Sequence, residues 1–560
     1  MTKIETARHQ HNRSKSDPTA ITMRTRHADN INNIQAEPKQ ESRNVGTLER
    51  KLKSRHVQFM ALSGAIGTGL FVGSGQVLSL AGPLSAFLAY LITALNVYCV
   101  VHSLGEMATY LPLPGAVPIY AARYVDEALG FAMAWNYWWQ IAIGVPIEVT
   151  VSVVIVDYWP HSRSVPAAAL ITVFLFAMVL VNCFPVRVYG EAEFAFGALK
   201  LTTIVGLIVL MLVITLGGTP NGDRIGFRYW HDPGPMNEYL RPGALGRFLA
   251  FWKVFIQATF SYGGSEMVVI ASGETEDPRR NVPKAVRRVF WRIALFYVLA
   301  IFLITLCVSS NDPRLLRAIQ TSAPGAAASP FVIAIQNGGI PVLPSVINAV
   351  ILSSAWSAGN SFFYASTRVL YAAALDGKAP ALFAYERFGV PYACVAATAL
   401  VGLLSYLTVS ESGENVFFWF SNLSAVSTLI TWAAVCVTYL RFHSGLRHNG
   451  ISRDSLPYAA PAQPYLAWFA LCFCVVVAFF NGFDAFFPGR FGARTFVPPY
   501  VDVVIFLGLF LGYKFVKGTK LVKVADMDLW SGKDEVDRLE GTWPENRPRN
   551  FLERVWFWIA

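Results

Sequence analysis

Two apolar stretches carry residues that a membrane-crossing helix normally avoids. The first, GAIGTGLFVGSG from Gly64 to Gly75, holds five glycines in twelve residues. Each glycine in a helix interior costs about 1 kcal/mol relative to alanine. The stretch lacks the Lys-Ser/Thr ending of a phosphate loop, and its glycine spacing and surroundings do not fit a dinucleotide-binding turn. Gly69-x-x-x-Gly73 fits a close helix–helix contact. The Gly67-Thr68-Gly69 triplet just before it invites the backbone to open. The second stretch, FSYGGSEMVVIASGE from Phe260 to Glu274, places Gly263-Gly264 directly before Ser265 and the carboxylate Glu266. Backbone opened inside a membrane protein presents N–H and C=O groups to a cavity. Free N–H groups at the positive end of a half-helix suit a carboxylate. The opposing carbonyl end, helped by an acid such as Glu266, suits an ammonium. Together the two breaks describe a site for a zwitterion.

These residues need long apolar elements to hold them. Of 560 residues 54% are hydrophobic and only 15% charged, against about 25% charged in an average soluble protein. Apolar runs of spanning length fall near 57–80, 84–108, 129–157, 165–183, 194–216, 248–272, 290–308, 341–374, 392–409, 415–439, 465–483 and 500–517. We number them spans 1 to 12. The expected fold is therefore an all-α polytopic bundle, with a polar tail over 1–54, a twelve-helix domain over 55–518 and a second tail over 519–560. Spans 1 and 6, five apart, are where an inverted five-plus-five repeat puts its broken helices.

The polar N-terminal region has no apolar core of a secretory signal. Twelve Lys/Arg precede span 1, nine lie from Lys514 onward, and the loop TEDPRRNVPKAVRR after span 6 is also basic. An even number of spans puts all three on one side, which the positive-inside rule assigns to the cytosol. The net charge of +10 thus reflects topology rather than nucleic-acid binding. The seven cysteines lie within or at the ends of apolar spans and form no zinc-type pair, so packing is their expected role. No metal or other cofactor is expected, and no nucleophile–base pair indicates an enzyme. The proline-rich stretch 217–247 reads as an external connector.

Charges inside spans need a reason, because each costs at least a few kcal/mol at the bilayer centre. Lys200 lies in span 5, Glu148 in span 3 and Glu266 in span 6. Lys200 has three open readings: a proton-exchanging group, a fixed cation tethering span 5 to span 1, or an interfacial lysine. Glu106 and His102, near one end of span 2, fit a structural network or a gate. Lys253 fits snorkelling, and Arg292 and Arg368 fit solvation at span ends.

With these motifs in order, the chain resembles the fungal amino-acid permeases, the yeast amino-acid transporter branch of the amino acid–polyamine–organocation superfamily. The resemblance runs from Leu52 to Tyr513 through LKSRHVQFMALSGAIGTGLFVGSG, GEMATYLP, RYVDEALGFAMAWNYWW, YGGSEMVVIASGETEDPRRNVPKAVRRVFWRI, SAWSAGNSFFYASTRVLYAAALDGKAP and SNLSAVSTLITW. It implies the inverted-repeat (LeuT-like) fold with broken helices 1 and 6, and spans 11 and 12 outside the repeats. It implies a substrate carboxylate at Gly67, Thr68 and Gly69, and an amino group at Tyr262, Gly263 and Gly264. For the side-chain pocket it points to Glu148, Ser265, Asn360 and Ser424. In sodium-independent relatives a span 5 lysine takes the place of sodium, which points to Lys200; with Glu266 it is the expected proton-coupling group. The implied activity is secondary active amino-acid import by proton symport and alternating access at the plasma membrane. An amino-acid-sensing receptor, or a transporter of a polyamine or carnitine, stands as the alternative. The resemblance also implies ubiquitin-dependent trafficking through tail lysines such as Lys3, Lys15 and Lys39. Two departures stand out: YGGSE where many relatives have F/Y-G-T-E, and a terminal VWFWIA without the acylated cysteine.

Overall fold

The computed structural model describes residues 67–113, 115–160, 164–184, 186–273, 277–320, 329–411, 413–539 and 550. All lie in one compact unit, Leu48–Ala560. The start of span 1, the N-terminal tail with Lys3, Lys15 and Lys39, and the terminal VWFWIA lie outside the described residues.

The described residues form helices, with a single isolated bridge between Arg387 and Val390 in place of any strand. Among the described residues, a helix overlaps each of the twelve expected spans. Spans 1 and 2 run together as Ser74–Tyr110, interrupted at Gly82, whose φ of 79° is followed by Pro83. Eight helices are long and apolar enough to cross a membrane, and Ala167–Asn182 (span 4) is a shorter apolar one. Span 6 falls outside that count because it is broken. Span 8, Leu343–Leu375, is long but carries a row of Ser and Asn that lowers its hydropathy.

Burial ranks the spans. The apolar stretch of span 3, Glu127–Val156, is 83% buried, whereas that of span 12, Ala493–Lys517, is only 11% buried. Span 3 packs on spans 8 and 10, and span 6 on spans 1, 2 and 10. Span 12 therefore sits at the rim, presenting Val504, Ile505 and Phe515 outward. Exposed apolar side chains on spans 4, 5, 11 and 12 suit a lipid surround, since the hydrocarbon core asks only that backbone polar groups be paired within helices.

One expectation is corrected and another extended. The basic stretch after span 6 is not a loop from Pro278 on: Pro278–Ile293 is a helix that continues through a π-helical turn, Ala294–Leu299, into Ala300–Cys307. Nor is 217–247 only a connector. Asn237 N donates to Ala81 O at 3.1 Å and Leu84 N to Pro235 O at 2.9 Å, so the segment pairs the backbone groups that the Gly82 kink frees. A side chain at Gly82 would meet Asn237 N at 2.9 Å.

Residues 519–539 lie along the ends of spans 2, 3 and 10. Val522 N donates to Val125 O at 2.9 Å, Arg123 donates to Ser531 O at 2.9 Å, and Leu529 is fully buried. Lys514 ion-pairs with Asp126, whose other oxygen caps span 3 by accepting from Ala128 N at 2.8 Å. We call this the basic face.

Candidate functional site

Span 6 is broken where its glycines lie. Phe255–Tyr262 ends as Gly263 turns to ψ 138°, Gly264 takes φ 84°, and helix resumes at Met267. A φ of that sign favours glycine, which has no Cβ to clash. Part of the freed backbone is satisfied locally: Ser265 N and Ser265 Oγ both donate to Tyr262 O, at 3.2 and 2.6 Å. The hydroxyl of Ser265 is thus engaged within the break. The Tyr262 side chain is pinned elsewhere, donating to Tyr90 O at 3.1 Å and packing on Tyr90 and Tyr297. What Tyr262 offers to the break is backbone.

Span 1 differs in detail from the expectation. Gly67 is non-helical, but Thr68 has helical φ and ψ, and Gly69–Gly73 forms a π-helical turn. A wide turn of this kind loosens the i→i−4 ladder without unwinding it. Gly69 and Gly73 instead serve close packing. A Cβ at Gly69 would lie 2.8 Å from Ser261 Cα, and one at Gly73 would lie 2.3 Å from Gln257 Nε2. The Gly69-x-x-x-Gly73 spacing therefore brings span 1 onto span 6 just before its break.

A buried charge cluster flanks this contact. Thr68 Oγ1 donates to Glu148 Oε1 at 3.1 Å, and a side chain at Gly67 would crowd the same oxygen. Lys200, 2% exposed, lies within electrostatic reach of both Glu193 and Glu148. Glu193, 1% exposed, accepts from Ser357 Oγ of span 8 at 3.2 and 3.3 Å. The sequence reading missed Glu193. Its signal was available: Glu193 stands seven residues before Lys200, two turns along one helix face. Span 8 approaches through Gly359, where a Cβ would sit 3.0 Å from Glu148 Cβ.

Glu266 is fully buried. Its oxygens accept from Gln140 Nε2 of span 3 at 2.9 Å and from Trp432 Nε1 of span 10 at 3.1 Å. Span 10 also reaches the break through Thr428, whose Oγ1 lies 3.5 Å from a Cβ built on Gly263. Ser424, one turn away, supplies the carbonyl that accepts from Thr428 Oγ1 at 2.8 Å. Asn360 is drawn the other way: its Oδ1 accepts from Asn182 Nδ2 of span 4 at 2.8 Å. The fold thus gathers Gly67, Thr68, Glu148 and Lys200 into one cluster and Tyr262 to Glu266 into another. Gly69 joins them, and Asn360 faces span 4.

Glu106 is structural. It accepts from Arg453 Nε and Nη2, both at 3.0 Å, from Tyr439 at 2.9 Å and from Ala460 N at 2.9 Å. His102 bonds Tyr458 beside it. Lys253 does not snorkel alone, for it pairs with Asp484 at 2.8 Å. Arg368 donates to Gly389 O at 3.1 Å.

Comparison with known proteins agrees with this architecture. The amino acid permease family model matches residues 56–525. The chain is 45% identical over 515 residues to a proline-specific permease of Emericella nidulans, covering 91% of this chain and 93% of that protein. It is 41% identical over 496 residues to a dicarboxylic amino acid permease of Saccharomyces cerevisiae, covering 88% and 81%. It is 39% identical over 542 residues to a lysine-specific permease of the same yeast, covering 95% and 86%. Among solved structures, the crystal structure of a manganese transporter from Eremococcus coleocola aligns with a TM-score of 0.51 at 12% identity, covering 83% of this chain and 94% of that one. That likeness speaks for the fold alone.

Proposed function

The chain belongs to the amino acid permease family, and we propose that it imports amino acids by proton symport and alternating access at a plasma membrane, with its basic face in the cytosol. Membership carries the coarser statement, that this is an integral membrane protein of an amino-acid transport family. One observation supports the coupling ion: Glu148, Lys200 and Glu193 are buried together. One lysine between two carboxylates leaves an excess negative charge, and a buried unpaired charge is costly. A single added proton makes the trio neutral. Because Glu148 holds Thr68 of span 1, gain or loss of that proton bears directly on the segment beside the substrate site.

In this reading the substrate carboxylate meets backbone at Gly67, Thr68 and Gly69, and its ammonium meets Tyr262, Gly263 and Gly264. Ser265, Ser424 and Glu148 border the side-chain pocket, while Asn360 is held by Asn182 of span 4. Lys200 and Glu266 are the proton-coupling groups. The tails serve ubiquitin-directed trafficking.

The test is uptake of labelled proline, glutamate and lysine, after the relatives' names, by cells lacking their own permeases. Each is measured at acidic and neutral external pH, with and without a protonophore. Uptake that is faster in acid and collapses with the protonophore supports symport. Surface-localised protein that moves none of them refutes import. Lys200→Ala is expected to abolish accumulation against a gradient, and an unchanged pH response in that variant would remove Lys200 from the coupling role.

A further inference from the structure

Glu266 sits at the end of a hydrogen-bonded chain that crosses four spans, and the donor–acceptor chemistry of that chain is unusual. The indole N–H of Trp432, which only donates, faces Oε2 at 3.1 Å. A proton on Oε2 would find no acceptor in that indole. The carboxyl proton therefore belongs on Oε1, which faces the Gln140 amide at 2.9 Å. An amide presents N–H₂ on one side and C=O on the other, so it serves either form of the acid, provided that it can turn over.

The groups beyond Gln140 permit both orientations. With Glu266 ionised, Gln140 Nε2 donates to it and Gln140 Oε1 accepts from Thr431 Oγ1 at 2.6 Å. With Glu266 protonated and the amide reversed, Glu266 donates to the amide oxygen and the amide nitrogen donates to Thr431 Oγ1. The Thr431 hydroxyl then needs another acceptor, and Ser427 O stands 3.0 Å away. Asn136 Nδ2 donates to both Thr431 Oγ1 and Ser427 O at 3.0 Å in either case. Ser427 is itself anchored, donating from Oγ to Asp502 Oδ2 of span 12 at 2.8 Å. Glu266, Gln140 and Thr431 each keep a partner in either state. Stranding one costs about 1–3 kcal/mol, so the hydrogen bonding around Gln140 opposes neither state.

Among the described residues, the groups that bond Glu266 are neutral: Gln140 from span 3, Trp432 from span 10 and the backbone at Gly264 and Glu266. The next ionisable group along the chain of bonds is Asp502, beyond Ser427. We propose that Gln140, working against Thr431, is the positioning residue that registers the proton on Glu266 and passes its state from the span 6 break to spans 10 and 12. This rests on the reading that Glu266 takes part in proton coupling.

The experiment is infrared difference spectroscopy of the full chain, purified in detergent and titrated from acid to neutral pH. A carboxyl band that Glu266→Gln removes belongs to Glu266; its absence from the parent spectrum refutes the coupling role of Glu266 itself. Given that band, an amide-carbonyl difference band is expected with the same midpoint, lost in Glu266→Gln and in Gln140→Met. Gln140→Met should also raise the midpoint of the carboxyl band by about one pH unit, because a hydrogen bond to the charged form is worth more than one to the neutral acid. Thr431→Val provides a second variant that leaves Gln140 in place: the amide band should vanish, while Thr431→Ser keeps it. A Glu266 carboxyl band without an amide partner, or an amide band that survives Thr431→Val, overturns the inference and leaves the Glu266 assignment standing.

Discussion

Glu193 and Lys200 show how a buried charge acquires meaning only with its neighbours. Lys200 is visible in the sequence as a charge in an apolar run. Glu193 lies at the edge of that run and drew no attention, yet it is as buried as Glu148. Replacing Glu193 with Gln leaves Lys200 and Glu148 as a neutral pair with no call for an added proton. Uptake by that variant is expected to lose its preference for acid, so that the rates at acidic and neutral pH become equal. Uptake measured against external pH at matched surface abundance checks this. A wild-type pH profile in Glu193→Gln would separate Glu193 from the coupling site.

Among the elements, the glycines divide into two kinds of work. Gly264 is needed for its positive φ, and Gly69 for a close approach to Ser261. Gly264→Ala forces a left-handed conformation on an L-residue, at about 1–2 kcal/mol. It should strain the break and lower uptake severalfold, with most of the protein still reaching the membrane. Gly69→Ala puts a methyl 2.8 Å from a backbone atom, and overpacking of that kind costs about 1–3 kcal/mol. Its expected signature is a lower melting temperature together with lost uptake. A Gly69→Ala protein of unchanged stability would mean that spans 1 and 6 are not held in this contact.

On the scale of the molecule, the basic face is tied together by links between segments far apart in sequence. Glu106 of span 2 holds Arg453 and Ala460 from the connection between spans 10 and 11. The 519–539 segment covers the ends of spans 2, 3 and 10. Glu106→Gln leaves Arg453 without its counter-charge. The expected loss is about 2 kcal/mol, below the range for fully buried pairs because Arg453 is 25% exposed. Thermal melting of the purified protein reads this directly, and an unchanged melting temperature would show that the link bears no stability. Arg453→Lys should recover only part of the loss, since lysine cannot reproduce the two-pronged contact.

The sequence by itself determined the class of fold, the positions of the spans and the place of the span 6 break. Bilayer thickness fixes the length of an apolar run, and glycine pairs mark where a helix can yield. It also marked Lys200, Glu148 and Glu266, because charges in apolar runs are conspicuous. Tertiary structure alone decided what those residues touch. That Gly69 packs rather than unwinds, that Asn360 turns to span 4, and that Gln140, Thr431 and Asp502 lie behind Glu266 all depend on which helix faces meet. Residues more than a hundred positions apart are brought within 3 Å there, and no periodicity along the chain encodes that meeting.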